Sequence, residues 1–494
     1  MVRNRKKSES HIIMILDSNS ASDGAYQITN SLKLEADNSE NLYRSLHAST
    51  STTKFTHSMW VKRTELTNAQ LLYMRGVAGN EAVLLRFSNE SGYEHGLQVD
   101  IGGSSTNARS VTTRVFRDVA AWYHIVLAVD TTQSTAANRR RLYVNGEEQE
   151  FGMDNAPSQN FAMEVSSAKH RYGAYNDTDN YAPFSGYIAE CHYVDGSQLD
   201  ASSFGETDSD SGIWIPKEYT GSHGTGGHYL NFDDTSSAGN DSSGNNHDFT
   251  DRNLSAADHA TDSPTNNFCI LDLHNQRADT PAILSEGGTV HLQDPGSGTG
   301  AIRGTMGVNS GKWYWEFKLD LFEGGSFYYL YGVSALEKTY ARYPGQGDGG
   351  FSIGIYGQNG NAYFNGSNTA WETSGSGGDG DIMGIFLDLD NGTMKVQKNG
   401  TFIGNAYSND IVATLTNASI SANFNKKDYS PAFADGTGST AYRTKYLVNF
   451  GGYCAYTISS GNADANGYGN FEYSPNDGTY DYLSLCSKNI AEAT

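Results

Sequence analysis

The chain has 494 residues and carries 34 basic against 56 acidic side chains, a formal net charge of −22; that length suits two or three domains of ~100–200 residues, and a body so acidic argues against nucleic acid as a partner. Glycine (55), tyrosine (31) and phenylalanine (21) are abundant while charged residues make up only 18%, a balance that favours strands and tight turns and excludes a helical bundle, a coiled coil or a doubly wound nucleotide-binding fold. Aromatic residues at 12% supply ample core, which excludes a disordered chain.

The chain opens with Arg3, Arg5, Lys6 and Lys7, then the apolar run His11-Ile-Ile-Met-Ile-Leu16. Six apolar residues are too few for a secretion signal and no small-residue cleavage site follows. Residues 1–20 therefore read as an N-terminal arm, and synthesis in the cytoplasm of the producing cell without a signal peptide is expected. No run approaches the ~18 apolar residues of a membrane span, so no membrane insertion is expected. Strand patterns begin at Phe55-Thr-His-Ser-Met-Trp-Val61 and continue through Leu71–Met74, Ala82–Phe87 and Ala121–Val129. Arg141-Leu-Tyr-Val144 runs into Asn145-Gly146, a strong hairpin signal because both residues accept positive φ.

A polar stretch from Thr235 to Pro264 follows and marks a boundary. Beyond it, Lys312–Leu319, Tyr328–Val333, Asp381–Asp388 and Met394–Gln397 read as strands, with Asp390-Asn-Gly392 as a turn and Asn399-Gly400 as a second hairpin. Tyr446–Phe450 closes the block, Gly461–Gly478 is turn-rich, and Tyr480–Ser487 is a last apolar stretch. Two blocks with the same strand and turn order predict an all-β chain of two tandem antiparallel sandwiches. Cys191, Cys269, Cys454 and Cys486 lack metal-ligand spacing and read as small buried hydrophobes.

Particular residues carry a resemblance. Phe55–Lys62, Trp122–Val126, Leu142–Gly146, Phe184–Ala189 and Tyr229–Asp233 resemble the laminin-G-like, concanavalin A-like jelly roll. Ser310–Phe317, Gly332-Val333, Phe351–Ile355, Gly384–Asp388 and Asn399-Gly400 resemble a SPRY-type sandwich. The resemblance implies a laminin-G-like sandwich over 21–250, a linker over 251–280, a SPRY-like sandwich over 281–455 and a C-terminal extension over 456–494. The tandem order, with Asp241–Asn246 and Asp262–Asn266 between the domains and the ending Tyr482-Leu-Ser-Leu-Cys486 … Asn489, is similar to virion proteins of tailed bacteriophages. That resemblance implies a place on a tail fibre or another appendage at the particle surface.

Enzymatic motifs are weak. Lys318-Leu-Asp320-Leu-Phe-Glu323 has the carboxylate spacing of jelly-roll glucanases, but a lysine stands where the first glutamate is required, and an ammonium cannot attack an anomeric carbon. Gly304–Lys312 lacks the first glycine of a phosphate loop, with Met306 five residues before Gly311, and Trp313 replaces the hydroxyl residue after the lysine; the segment reads as a hairpin leading into a strand. His124 within its strand reads as a structural histidine. The laminin-G resemblance implies calcium at the sandwich rim, for which Asp177, Asp179, Asp208 and Asp210 are the candidate oxygen donors; solvated loop acids are the plain alternative. Tyr172, Tyr175 and Tyr181 in one loop region, and Tyr340, Tyr343 and Trp371 in another, stand among Asn and Asp; flat rings beside polar side chains suit carbohydrate, although tyrosine serves protein interfaces equally.

The expectation is a non-enzymatic phage structural protein binding host surface glycans or proteins, with other virion proteins and sister copies as partners. A purely architectural decoration or assembly subunit is the alternative, and a polysaccharide-cleaving enzyme the third reading.

Overall fold

The computed structural model describes residues 25–45, 49–66, 69–77, 80–102, 108–163, 169–175, 182–276, 282–293, 301–323, 329–337, 343–346, 352–357, 359–371, 377–404, 427–435 and 443–493. Among them the chain is nearly all strand, its one α-helix being Ser487–Ala493, and no helix is long and apolar enough to cross a membrane.

The first sandwich pairs two antiparallel sheets, eight described strands each. One runs Glu147–Glu148, Arg140–Val144, Trp122–Asp130, Lys54–Arg63, Gly186–Asp195, Ser31–Leu34 and His259–Ala260, with His228–Leu230 also beside Gly186–Asp195. The other runs Phe151–Asp154, Arg109–Val115, Gly96–Ile101, Asn80–Phe87, Gln70–Val77, Lys169–Tyr172, Asn41–Ser45 and Thr250–Arg252. Period-two alternation sends Phe55, Met59 and Val61 into the core between them. Lys54–Arg63 is nonetheless buried on both faces, because Leu199, Phe204, Trp214 and Tyr219 cover the outer side of its sheet.

In the second sandwich, one sheet runs Leu271–Gln276, Ala301–Gly304, Tyr429–Asp435, Tyr329–Ala335, Ser352–Tyr356, Asn361–Phe364 and Ser367–Ala370. The facing sheet runs Ala282–Ser285, Val290–Gln293, Arg443–Asn449, Lys312–Glu323, Ile382–Asp388, Thr393–Lys398 and Thr401–Ile403. Trp313, Trp315, Phe317 and Leu319 point into this core, and Tyr314 and Glu316 point away from it. Asn145-Gly146 (φ +48°, +80°) and Asn399-Gly400 (φ +48°, +77°) form the expected left-handed hairpin turns. All four cysteines are free, three of them buried and Cys454 half-buried.

Two expectations need correction. Residues 251–280 are not a linker: Thr250–Arg252 and His259–Ala260 complete the first sandwich, and Leu271–Gln276 opens the second. Between them, buried Asp262 accepts from Lys62 Nζ at 2.6 Å and Trp122 Nε1 at 3.0 Å, so the crossing segment is itself core. Nor is Gly304–Lys312 a hairpin, since Ala301–Gly304 and Lys312–Glu323 lie in opposite sheets and the chain between crosses the sandwich. The extension after residue 455 folds back as a third layer. Phe471 and Tyr482 cover Tyr314 and Phe386, and Leu483–Ser484 pairs in parallel with Lys312–Glu323.

The two sandwiches are locked together by the turn Glu286-Gly287-Gly288, all three residues left-handed (φ +50°, +65°, +74°). Its tip reaches the first sandwich, where Tyr187 Oη donates to the Gly287 carbonyl at 2.8 Å. A Cβ at Gly287 would stand 2.3 Å from that hydroxyl, so glycine is required by both conformation and space.

Candidate functional site

The outer face of the second sandwich gathers three tyrosines. In Ser352–Tyr356 alternation sends Ile353 and Ile355 to the core and turns Ser352, Gly354 and Tyr356 outward; in Asn361–Phe364 it turns out Asn361 and Tyr363. The register sets Gly354 opposite Tyr363 and Tyr356 opposite Asn361, and the exposed strand Ser367–Ala370 brings Asn368 opposite Tyr363. Residues 343–346 fold over this face. Gly354 allows the approach, since a Cβ there would meet the Pro344 carbonyl at 2.0 Å. Gly345 N–H donates to Ser352 Oγ at 2.7 Å and Gly366 N–H to the Gly345 carbonyl at 2.9 Å, which fixes the segment.

Tyr343 and Tyr356 rest on Ala301, Leu330 and Ala434. The Tyr363 ring stands 6.2 Å from each of them, at interplanar angles of 85° to Tyr343 and 81° to Tyr356. Asn361 Nδ2 donates to Asn368 Oδ1 at 3.1 Å beside these rings. The result is three half-buried rings on an apolar floor with amide donors and acceptors alongside. Such a surface can stack the apolar face of a sugar and bond its hydroxyls.

Of the residues expected to bind carbohydrate, Tyr343 lies in this patch. Tyr172 and Trp371 do not bind from the surface: both are fully buried, a correction to the sequence reading. Tyr172 is the inward-facing end of Lys169–Tyr172, its hydroxyl 3.0 Å from His57 Nε2 and 2.8 Å from His228 Nε2. Trp371 follows the exposed edge strand and turns its ring into the core, its backbone N–H donating to the Gly360 carbonyl at 3.3 Å. Tyr175 is half-buried against Leu71, Met74 and Leu84 on the first sandwich. Tyr181, Tyr340, Asp177 and Asp179 lie outside the described residues.

Asp208 Oδ1 accepts from Asp210 N–H at 3.1 Å, Ser211 N–H at 2.7 Å and Ser211 Oγ at 2.7 Å, so that carboxylate closes its own turn, while Asp210 is exposed. Among the described residues no group of three or more His, Cys, Asp or Glu is gathered as a metal site. Asp320 pairs with Lys445 at 3.3 Å. His124 is buried and structural, accepting from Trp214 Nε1 at 3.0 Å, with Ser58 Oγ 2.8 Å from its other nitrogen; burial first, and the His192 charge second, hold its pKa down at about 3. Tyr356, Tyr363, Asn361 and Asn368 were not singled out from sequence, although the alternation in Ser352-Ile-Gly-Ile-Tyr356 carries the signal.

Residues 35–202 match the concanavalin A-like lectin/glucanases superfamily and residues 312–427 match the SPRY domain, the latter span including the tyrosine face. The chain carries a concanavalin A-like domain followed by a SPRY domain. Both domain types fit a binding role. No curated protein matches the chain. Similar solved structures include the SPRY domain of human HERC1 (19% identity, covering 36% of this chain and 96% of that one, TM-score 0.28). A putative carbohydrate binding protein from Bacteroides ovatus is 16% identical, over 46% of this chain and 59% of that one, with TM-score 0.31. A heptameric pentraxin from Limulus polyphemus is 15% identical, over 35% and 80%, with TM-score 0.29.

Proposed function

We propose that this chain is a non-enzymatic structural protein of a tailed-phage particle, on a tail fibre or another surface appendage, that binds host surface glycans through Tyr343, Tyr356 and Tyr363. The observation that carries the binding reading is the tyrosine face itself, with its Asn361–Asn368 amide pair at 3.1 Å. Rings of this kind present a large contact area at low conformational cost, and the amides supply direction. The tandem domain order and the C-terminal run that resemble phage virion proteins support the particle setting. A binding rather than cleaving role is supported by Lys318 at the place of a nucleophilic carboxylate and by the pairing of Asp320 with Lys445. Other virion proteins and sister copies are its partners within the particle, and a host surface glycan or protein outside it.

The test is binding of the labelled chain to intact host cells, with and without competing host polysaccharide, in calcium and in EDTA. Saturable binding that polysaccharide competes away is expected. A folded sample that binds nothing would favour the purely architectural reading, and release of sugar from the polysaccharide would favour an enzyme.

A further inference from the structure

Lys62 lies on the outer face of its strand, since alternation sends Val61 into the core. The register sets Trp122 opposite it on one neighbouring strand and Tyr187 opposite it on the other. Over this face runs the segment that crosses from the first sandwich to the second, and three of its residues meet the lysine. Nζ donates to Asp262 Oδ2 at 2.6 Å, to Asn267 Oδ1 at 2.6 Å and to the Phe268 carbonyl at 2.9 Å.

The group is closed to water. The Lys62 and Asp262 side chains are 0% and 1% exposed, Asn267 is buried beside them, and the buried rings of Trp122, Tyr187 and Phe268 surround it. The Asn267 carboxamide has one orientation, because Nδ2 donates to the Ala120 carbonyl at 2.7 Å and the oxygen side is left to Lys62. Asp262 is held as well, its Oδ1 accepting from Trp122 Nε1 at 3.0 Å. An amine, a carboxamide and a carboxyl group thus stand in contact in a dry site. They are the parts that displacement of ammonia from an asparagine requires: a nucleophile, an acyl centre and a proton carrier. Fixed contact supplies the proximity, and the exclusion of water removes the competing nucleophile.

We infer that Lys62 and Asn267 react with each other to form a covalent amide cross-link, with Asp262 moving the protons. The Lys62 ammonium first gives one proton to Asp262, and the free Nζ bonds to Asn267 Cγ. Asp262 then passes its proton to Nδ2 and takes a second one from Nζ as the Cγ–Nδ2 bond breaks. Ammonia leaves, Asp262 stays protonated, and a neutral amide joins Nζ to Cγ. Nothing is oxidised or reduced, and no co-reactant is consumed. Burial raises the Asp262 pKa against the pull of Lys62, which suits a carboxyl that carries protons. The bond closes a loop spanning 205 residues and ties the strand Lys54–Arg63 to the point where the chain leaves the first sandwich. It does not rest on the tyrosine face.

Mass spectrometry of the full chain, folded when purified and denatured only for the measurement, tests this. The chain is expected to be lighter than its sequence by one ammonia, about 17 Da. Trypsin is expected to leave Lys62 uncut and to release one branched peptide joining residues 62 and 267. Asn267→Ala removes the acyl centre but keeps the Lys62–Asp262 ion pair, and is expected at its full sequence mass. The wild-type peptides decide the question by themselves if that variant does not fold. A folded wild-type chain at full mass, with Lys62 and Asn267 in separate peptides, would overturn the inference. So would an ammonia loss that persists in Asn267→Ala, which would come instead from cyclisation at an Asn-Gly pair such as Asn145-Gly146.

Discussion

Lys33 of the first sandwich places its Nζ 2.8 Å from the carboxylate of Glu286 in the second. The same buried ammonium meets Asp258 at 2.8 Å and Glu40 at 3.0 Å, and lies 5.4 Å from the Tyr453 ring centroid. One cation thus holds together three carboxylates drawn from both domains. Burial pushes the Glu40 carboxyl up to about 7 even though Lys33 beside it pulls the other way.

Replacing Lys33 with Met should leave three carboxylates without their counter-charge and destabilise the chain by about 3–5 kcal/mol, the usual cost of breaking a buried ion pair from one side. Calorimetry checks this. The wild type should unfold in a single transition, because the junction is continuous with both cores, and the variant at a clearly lower temperature. An unchanged melting temperature would show that the junction contributes nothing.

Glu316 does the same for the C-terminal extension. Its buried carboxylate accepts from Tyr314 Oη at 2.6 Å, Tyr456 Oη at 3.1 Å, and the backbone N–H groups of Glu472 at 2.9 Å and Tyr473 at 2.7 Å. Glu316→Ala orphans four donors at once, at about 1–3 kcal/mol for each that stays buried. Hydrogen exchange should then speed up across residues 456–486 while the first sandwich keeps its protection. Equal loss in both domains would mean that the extension has no separate anchor.

His291 gives a pH dependence of known sign. The ring is fully buried 5.5 Å from Tyr446, neither nitrogen has a hydrogen-bond partner among the described residues, and burial lowers its pKa to about 4. The unfolded chain takes up this proton below about 6.5 and the folded chain does not, so stability falls as pH drops from 6.5 toward 4. His291→Leu removes that proton. Its stability gain over wild type should be larger at pH 5 than at pH 7 by about 2 kcal/mol, measured by urea unfolding at both values. An equal difference at both pH values would show that the histidine is not buried neutral.

Trp371 separates core from surface. Trp371→Ala should cost about 3–5 kcal/mol in thermal unfolding and leave the affinity of the folded fraction for host polysaccharide unchanged. Lost affinity with an unchanged melting temperature would return Trp371 to the surface.

These residues also show what the sequence makes legible. The Asn145-Gly146 and Asn399-Gly400 turns can be read directly, because few other pairs accept two positive φ values. The inward side of Lys312–Leu319 follows from alternation. Its outward side does not. What buries Tyr314 and Glu316 there returns up to 157 residues later. The 251–280 segment looks like a linker because it is polar, yet Asp262 is satisfied by Lys62, 200 residues away. The Asn and Asp neighbours of Tyr172 and Trp371 suggest loops, a signal that cannot tell a strand's inward end from its outward one. Tyr343 carries the same signal and sits on the candidate face.

The measurement that bears most directly on the glycan-binding proposal is the affinity of the Tyr356→Ala/Tyr363→Ala double variant for intact host cells, beside its melting temperature. Removal of two rings from the centre of a contact should weaken polysaccharide-competed binding by about tenfold or more, roughly 1.4 kcal/mol, with a smaller loss of stability than Trp371→Ala because both rings are only half-buried. Wild-type affinity in the folded double variant would contradict the account.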